Sequence, residues 1–227
     1  DAYSAFQEIG NYKDSLKKAA TISIKEIKNC SVGDYIKFGS YEQDNNISNG
    51  KETIEWLVLD KTDEKALVIS KYALDCKPYN TNDVNVTWES CSLRNWLNDY
   101  FINTAFSEVE KFVIPTVIVS ADKNPEYNTY SGNPSQDKIF LLSTAEVNKY
   151  LGFRDACQCQ PTKYAKVQGI FASEYGVCGW WLRNQGKYAN FAVNVYVGGS
   201  IDKQGLHVYR TGVGVRPAMW IDFSKID

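Results

Sequence analysis

The sequence is poor in the residues on which most catalytic and metal sites depend. It has one histidine, His207, and one methionine in 227 residues. A structural zinc site needs four closely spaced sulfur or nitrogen ligands, and the single C-x-C pair, Cys157 and Cys159, has no matching second pair. No serine or cysteine nucleophile motif accompanies His207, so a surface position or a ligand contact suits it better than the role of general base. The sequence therefore predicts no catalytic residue, no metal and no cofactor.

Strong charge and long apolar runs are missing as well. The net charge is −2 and no run of Lys and Arg stands out, so a nucleic-acid partner is not expected. The longest apolar runs, such as 56–59 and 139–142, fall far short of the roughly 20 residues that cross a bilayer, which predicts no membrane insertion by this segment. The chain opens on Asp1 without a signal peptide, and we expect it to be a piece of a longer protein.

Cysteines and loop aspartates leave alternatives open. There are six cysteines, of which Cys76 and Cys91 could pair across a loop, but the sequence does not fix their disulfide state. Asp44, Asp122 and Asp202 lie in polar stretches and could hold calcium. Their spacing matches no known calcium loop, so solvated turns are the better interpretation.

Aromatic residues are abundant, with 6 Trp, 15 Tyr and 10 Phe. They can fill the core of a β-rich domain, or they can form a recognition surface, since tyrosine and tryptophan offer wide contact area at low entropic cost. For Trp180 and Trp181 we expect a division, with one ring inside and one at the rim. The tyrosines are the better candidates for a recognition surface.

The chain divides into a short helical segment over residues 1–30 and one α+β domain over residues 31–227. The first segment, with the run IGNYKDSLKKA, resembles the end of a tetratricopeptide-like helical repeat. Two β-rich ends then enclose two or three helices and a long polar loop over 121–136, which predicts mixed or antiparallel sheets with both termini in one sheet. Two of the helices begin with capping boxes, Ser107 with Glu110 and Ser143 with Glu146. The third carries an apolar stripe from Leu93 to Phe101.

Five motifs in order suggest a family: VGDY at 32–35, IEW at 54–56, LRNWLN at 93–98, GWWLR at 179–183 and GVRPA at 214–218. Together they resemble a bacterial domain of unassigned function that is similar to the C-type-lectin-like, formylglycine-generating-enzyme superfamily. The resemblance covers about residues 31–223 and implies a C-type-lectin-like fold. It extends to the variable proteins of diversity-generating retroelements, which carry changeable Asn, Tyr and Ser positions on their C-terminal strands.

The sequence matches the functional motifs of this superfamily less well than the motifs that indicate its fold. The Glu-Pro-Asn, Gln-Pro-Asp and Trp-Asn-Asp calcium motifs of the lectins are absent. The sulfatase-activating enzymes use a closely spaced cysteine pair near the C-terminus, whereas Cys178 is the last cysteine here. The resemblance therefore implies a binding domain, with an enzyme or a structural accessory domain as alternatives.

The predicted binding face lies in the C-terminal third. Residues 189–197 alternate, with Phe191, Val193 and Val195 on one face and polar side chains on the other. Asn and Tyr combine hydrogen bonding with stacking, as in adaptable paratopes, although an ordinary solvated face would look the same. The predicted ligand-binding residues are Asn184, Gln185, Tyr188, Asn190, Asn194, Tyr196, His207 and Tyr209.

These observations predict a non-catalytic recognition domain for a protein or glycan ligand, of bacterial or phage origin and expected at the cell surface or outside the cell. Arg183 and Arg216 could clamp an anion, but their apolar neighbours in sequence favour buried structural roles. Replacing Trp181 or Arg216 is expected to impair folding.

Overall fold

The computed structural model of the protein describes residues 21–22, 24–152 and 154–226. The predicted helical segment at residues 1–20 lies outside them. Residues 24–29 are helical, and the side chains of Ile24 and Ile27 are buried in the core. None of the described helices is long and apolar enough to cross a membrane.

The described part of the chain has mixed α+β architecture, as predicted. Its strands are β1 (Tyr35–Tyr41), β2 (Glu52–Lys61), β3 (Lys65–Ser70), β4 (Asp75–Cys76), β5 (Val117–Val119), β6 (Ser135–Asp137), β7 (Ile139–Phe140), β8 (Trp180–Gln185), β9 (Phe191–Val195), β10 (Ile201–His207), β11 (Gly214–Val215) and β12 (Ala218–Asp222). Its α-helices are α1 (Ser92–Trp96), α2 (Ile102–Ala105), α3 (Glu108–Phe112), α4 (Thr144–Tyr150), α5 (Arg154–Cys157) and α6 (Lys163–Val167). After residue 31 the described residues thus contain six short α-helices, where we expected two or three.

Two five-stranded sheets form the frame. The first has the order β1-β2-β3-β12-β7, so strands from both ends of the domain share one sheet, as predicted. The second has the order β10-β9-β8-β11-β4 and is antiparallel except where β11 runs parallel to β8. Because β10 is at the edge of the second sheet, the predicted binding region borders on solvent.

The helices pack as their local sequence indicates. Ser107 and Ser143 form complete capping boxes at the starts of α3 and α4, which confirms both predictions. The predicted stripe from Leu93 to Phe101 begins in α1 and continues through a π-helical stretch, Leu97–Phe101, into α2. Its members spaced by four residues, Leu93, Leu97 and Phe101, are buried, since one face of the helix packs on the core.

Three tryptophans fill the centre of the fold: Trp56, Trp180 and Trp181 have no exposed surface. The predicted division of Trp180 and Trp181 between core and rim is therefore wrong. Both indole N–H groups find backbone acceptors inside, Trp180 at Cys157 O (2.9 Å) and Trp181 at Lys77 O (3.0 Å), so neither ring needs water.

Candidate functional site

The eight predicted binding residues fall into two groups. Tyr188, Tyr196 and Tyr209 are 53%, 59% and 46% exposed, and His207 is exposed beside them in sequence, with Asn190 half-buried. Asn184, Gln185 and Asn194 are only 3%, 2% and 2% exposed. The predicted outward polar face of β9 is wrong, because both faces of this strand are covered.

Two of the buried amides are used inside the fold. Asn184 accepts the Thr144 N–H at 2.6 Å and donates to Asp122 O at 2.9 Å, which ties β8 to α4 and to the 121–136 loop. Gln185 donates to Ala189 O and Phe191 O at 2.7 and 2.9 Å and so shapes the turn between β8 and β9. The amide N–H groups of both residues are therefore used within the fold, whereas the buried Gln185 Oε1 has no partner in the described residues.

Three exposed rings near the sheet edge, Tyr188, His207 and Tyr209, form a continuous aromatic row with the half-buried Phe191. Ring centroids are 5.1 Å apart between Tyr188 and Phe191, 4.2 Å between Phe191 and His207, and 5.3 Å between His207 and Tyr209. Phe191 and His207 are direct cross-strand partners of β9 and β10, so the register of the sheet sets the centre of the row. The row offers stacking surface at the solvent edge.

A polar edge adjoins the aromatic row. Asn190 donates to Asp83 Oδ1 at 2.9 Å, and His207 Nδ1 lies 3.6 Å from the same oxygen. The partners of the His207 ring in hydrogen bonds, ion pairs and ring contacts within the described residues are Asn190, Asp83, Phe191 and Tyr209. Asp83 is a site residue that sequence reasoning missed, because it lies more than 100 positions away in the chain.

A pocket of about 320 Å³ lies on the other face of the same strands. Asn194 is three positions from Phe191 in β9, and strand alternation therefore places the two side chains on opposite faces. Asn194 lines the pocket, together with Phe171, Gly179, Tyr196, Val197, Leu206, Arg210, Thr211, Gly212 and Val213. The predicted residues Asn194 and Tyr196 thus belong to this pocket and not to the aromatic row.

Arg183 is a structural cation. Its guanidinium contacts Glu146, Asp122 Oδ2 at 3.3 Å, and the carbonyls of Ser120 and Leu141 at 3.1 and 3.0 Å. Burial raises the pKa of Asp122, but hydrogen bonds from Ser143 and Ser120 and the charge of Arg183 outweigh it, so the pKa lies below its usual range. Arg183 therefore links β8 to the segment that contains Ser120 and Asp122, and to Glu146 in α4.

Arg216 lies beside a pair of thiols. Its Nε donates to Ser70 O at 2.9 Å and its guanidinium stands 5.0 Å from the Trp180 ring, but its buried Nη1 has no hydrogen-bond partner in the described residues. Cys159 and Cys178 face each other across an antiparallel bridge, with the Cys178 N–H donating to Cys159 O at 2.8 Å. All six cysteines are free, including Cys76 and Cys91.

The pKa values of the two thiols in this pair are shifted in opposite directions. Burial raises the pKa of Cys159, but the Cys178 hydrogen bond and the Arg216 charge more than offset it, so the pKa lies below its usual value. The pKa of Cys178 is raised far above its usual value, first by the hydrogen bond to Cys159 and then by burial. Cys159 is therefore the thiol of this pair that loses its proton more readily, beside the Arg216 charge.

Stability should consequently depend on pH through this pair. The depressed pKa of Cys159 favours the fold as pH rises from neutral to about 8.5, where unfolded thiols titrate. Above that pH the raised pKa of Cys178 reverses the trend, because the unfolded chain loses a proton that the fold retains. The raised pKa values of the other four thiols act in the same direction as that of Cys178, so we expect the free energy of unfolding in reducing buffer to rise by less than about 1.4 kcal/mol per pH unit above neutral pH and then to fall.

Urea unfolding at several pH values checks this expectation. Cys159→Ala should remove the rise, whereas the matched change Cys30→Ala, at a half-buried thiol outside the pair, should preserve it. An equal rise in the Cys159→Ala variant would show that other groups cause it.

Glu42, Asp44 and Glu52 bring three carboxylates within 4.8 Å of one another. Each already accepts backbone N–H groups: Glu52 from Gln43 and Asp44, and both Asp44 and Glu42 from Asn46. The cluster therefore shapes the loop after β1, and this contact pattern agrees with the interpretation of Asp44 as a turn residue.

A comparison with protein families finds one match. The model of a family described as "Domain of unknown function (DUF6273)" matches residues 63–223, well over half of the chain. No curated protein and no solved structure matches the chain. The matched range begins in the turn before β3 and includes the aromatic row, the pocket and both buried arginines.

Proposed function

The chain belongs to the DUF6273 family, and from this premise we propose that it is a non-catalytic domain that recognises a protein or glycan ligand. The observation that carries the proposal is the aromatic row at the solvent edge of the second sheet. Tyr188, His207 and Tyr209 are exposed, although Phe191 gives them a hydrophobic base on which to pack. Exposed aromatic rings held by a rigid frame are typical of recognition surfaces.

The chemistry of the row suits either ligand class. The rings supply stacking area, and the neighbouring Asp83 and Asn190 supply an acceptor and a donor of hydrogen bonds. Lys187 adds a cation 5.3 Å from the Tyr188 ring and 5.9 Å from the Tyr127 ring, at the start of the same surface. A sugar ring and a protein side chain can both use this combination.

One observation bears on the enzyme alternative. Cys159 and Cys178 come together although they are far apart in sequence, which restores a cysteine pair of the kind that formylglycine-generating enzymes use. The two side chains are only 2% and 1% exposed, so a substrate has no direct access to either sulfur. Burial favours a structural role for this pair and leaves recognition as the better proposal.

We also propose a C-type-lectin-like frame, supported by the shared sheet of first and last strands, and kinship with the variable proteins of diversity-generating retroelements. In such a protein the changeable codons would fall on the exposed positions 188, 196 and 209 and spare the buried amides. A reverse transcriptase gene and an imperfect repeat of the 3′ coding end in the surrounding DNA would support the kinship. The cell-surface location stays a prediction.

Replacing Tyr188, Tyr196 and Tyr209 together by alanine tests the binding proposal. We expect the free energy of unfolding to change by about 1 kcal/mol or less, because exposed side chains contribute little to stability. Binding to the best ligands from a glycan array and a random peptide display library should weaken by at least about thirtyfold, as loss of a central aromatic contact implies.

Three other exposed tyrosines, Tyr35, Tyr100 and Tyr175, provide the control. Their triple alanine variant should retain wild-type binding. The proposal fails if the two triple variants bind equally well, if neither library yields a saturable ligand, or if the purified protein turns over a substrate.

A further inference from the structure

The pocket behind the aromatic row contains an acceptor with an unmet hydrogen bond. Asn194 is 2% exposed and lines the pocket, and its Oδ1 has no partner in the described residues. Buried polar atoms in folded proteins are nearly always paired, by the protein itself or by a bound molecule. Five buried side-chain atoms of the described residues have no hydrogen-bond partner, and Asn194 Oδ1 is the one among them that belongs to a residue lining this pocket.

A cation stands at the same pocket. Arg210 is exposed, and its guanidinium makes no ion pair or side-chain hydrogen bond with any residue that the structure describes. The two buried arginines differ from it, since Arg183 contacts two carboxylates and Arg216 donates to a backbone carbonyl. A planar guanidinium free to make two parallel bonds matches a carboxylate.

The remaining walls are largely apolar. Phe171, Val197, Leu206 and Val213 line the space between the two polar groups. A volume of about 320 Å³ is at the small end of the range for ligand pockets, roughly 300–1,000 Å³. It suits one apolar side chain together with its backbone groups better than a large ligand.

We propose that this pocket binds the free carboxylate end of a peptide whose last side chain is apolar. The carboxylate pairs with Arg210, the amide N–H of the last residue donates to Asn194 Oδ1, and its side chain contacts Phe171 and Leu206. An N-acylated apolar amino acid offers the same three groups. The inference rests on the proposed function, since it names the chemistry of one end of a ligand, but it uses a surface separate from the aromatic row.

Four fluorescein-labelled probes test it: hexapeptides ending in Leu or in Asp, each with a free carboxylate or a C-terminal amide. We expect the Leu peptide with the free carboxylate to bind best, and amidation to weaken it by about ten- to hundredfold, the usual value of a hydrogen-bonded charge. Competition with N-acetyl-leucine distinguishes a peptide end from a free acylated amino acid: equal potency would indicate that the last residue alone is recognised.

Variants assign the effect to the pocket. Arg210→Gln should bind the acid and the amide equally, while Asn194→Leu should weaken both and keep the preference for the acid. The charge-matched control Lys123→Gln, on the exposed loop, should bind like wild type. Thermal melts accompany each variant, and Asn194→Leu is expected to remain folded because it removes an unpaired polar atom from the interior.

The proposal is overturned if wild type binds acid and amide peptides equally, if Arg210→Gln retains the preference, or if sialic or uronic acids displace the Leu peptide. A Tyr188 and Tyr209 double alanine variant keeps the two proposals apart. It should no longer bind the library ligand but should still bind the carboxylate peptide. Each proposal can therefore fail without affecting the test of the other.

Discussion

Replacing Trp181 by alanine should destabilise the fold by about 3–5 kcal/mol, the usual cost of deleting a large buried ring. The Trp181 side chain has no exposed surface, packs 5.8 Å from the Tyr79 ring and donates to Lys77 O. Its loss would leave a cavity at the centre of the second sheet and an unpaired carbonyl. Urea unfolding followed by circular dichroism measures the change.

Trp220 is the matched control for Trp181. It is partly exposed on β12 at the margin of the core, and the Lys65 ammonium lies 4.8 Å from its ring. Trp220→Ala is expected to cost about 1 kcal/mol, in the normal range for a partly exposed position. Equal losses from the two variants would contradict the assignment of Trp181 to the rigid frame.

Replacing Arg183 by methionine should cost about 3 kcal/mol or more, because removing one member of a buried ionic network leaves the others uncompensated. The variant would leave the carbonyls of Ser120 and Leu141 without the hydrogen bonds that Arg183 donates. It would also leave Glu146 and Asp122 without their cationic partner. Those two carboxylates keep partial access to water, which moderates the loss. Thermal and urea unfolding of the Met variant give the magnitude.

A double-mutant cycle with Glu146→Gln tests whether the network itself is responsible. We expect a coupling energy of about 1–3 kcal/mol between positions 183 and 146. If Arg183 were instead an anion clamp, sulfate would raise the melting temperature of wild type and not of the Met variant. That result, or additive losses in the cycle, would contradict the structural role.

Local signals in the sequence predicted local structure. The capping boxes at Ser107 and Ser143 were correct because each depends on residues within one helical turn. The α+β architecture followed from segments whose periodicity changes along the chain. The strand Phe191–Val195 was also recognised, but its polar face was wrongly placed in solvent, since the burial of Asn194 depends on how distant parts of the chain pack.

Contacts between distant residues could not be predicted in the same way. The pairing of Cys159 with Cys178 depends on a single bridge between irregular segments. Asp83 reaches the aromatic row, and Arg210 reaches the pocket, through the overall topology and not through any motif. The tyrosines were easier to identify because an aromatic residue in a polar, turn-rich stretch is exposed unless something covers it.

A ligand footprint by hydrogen–deuterium exchange tests the central claim most directly, namely that a rigid domain recognises its ligand through the aromatic row. The best ligand from the glycan array or peptide library is added to wild type, and amide protection is compared along the whole chain. We predict added protection at residues 188–191 and 207–209, with the interior of both sheets unchanged. Protection confined to another surface, or none at saturating ligand, would contradict the claim.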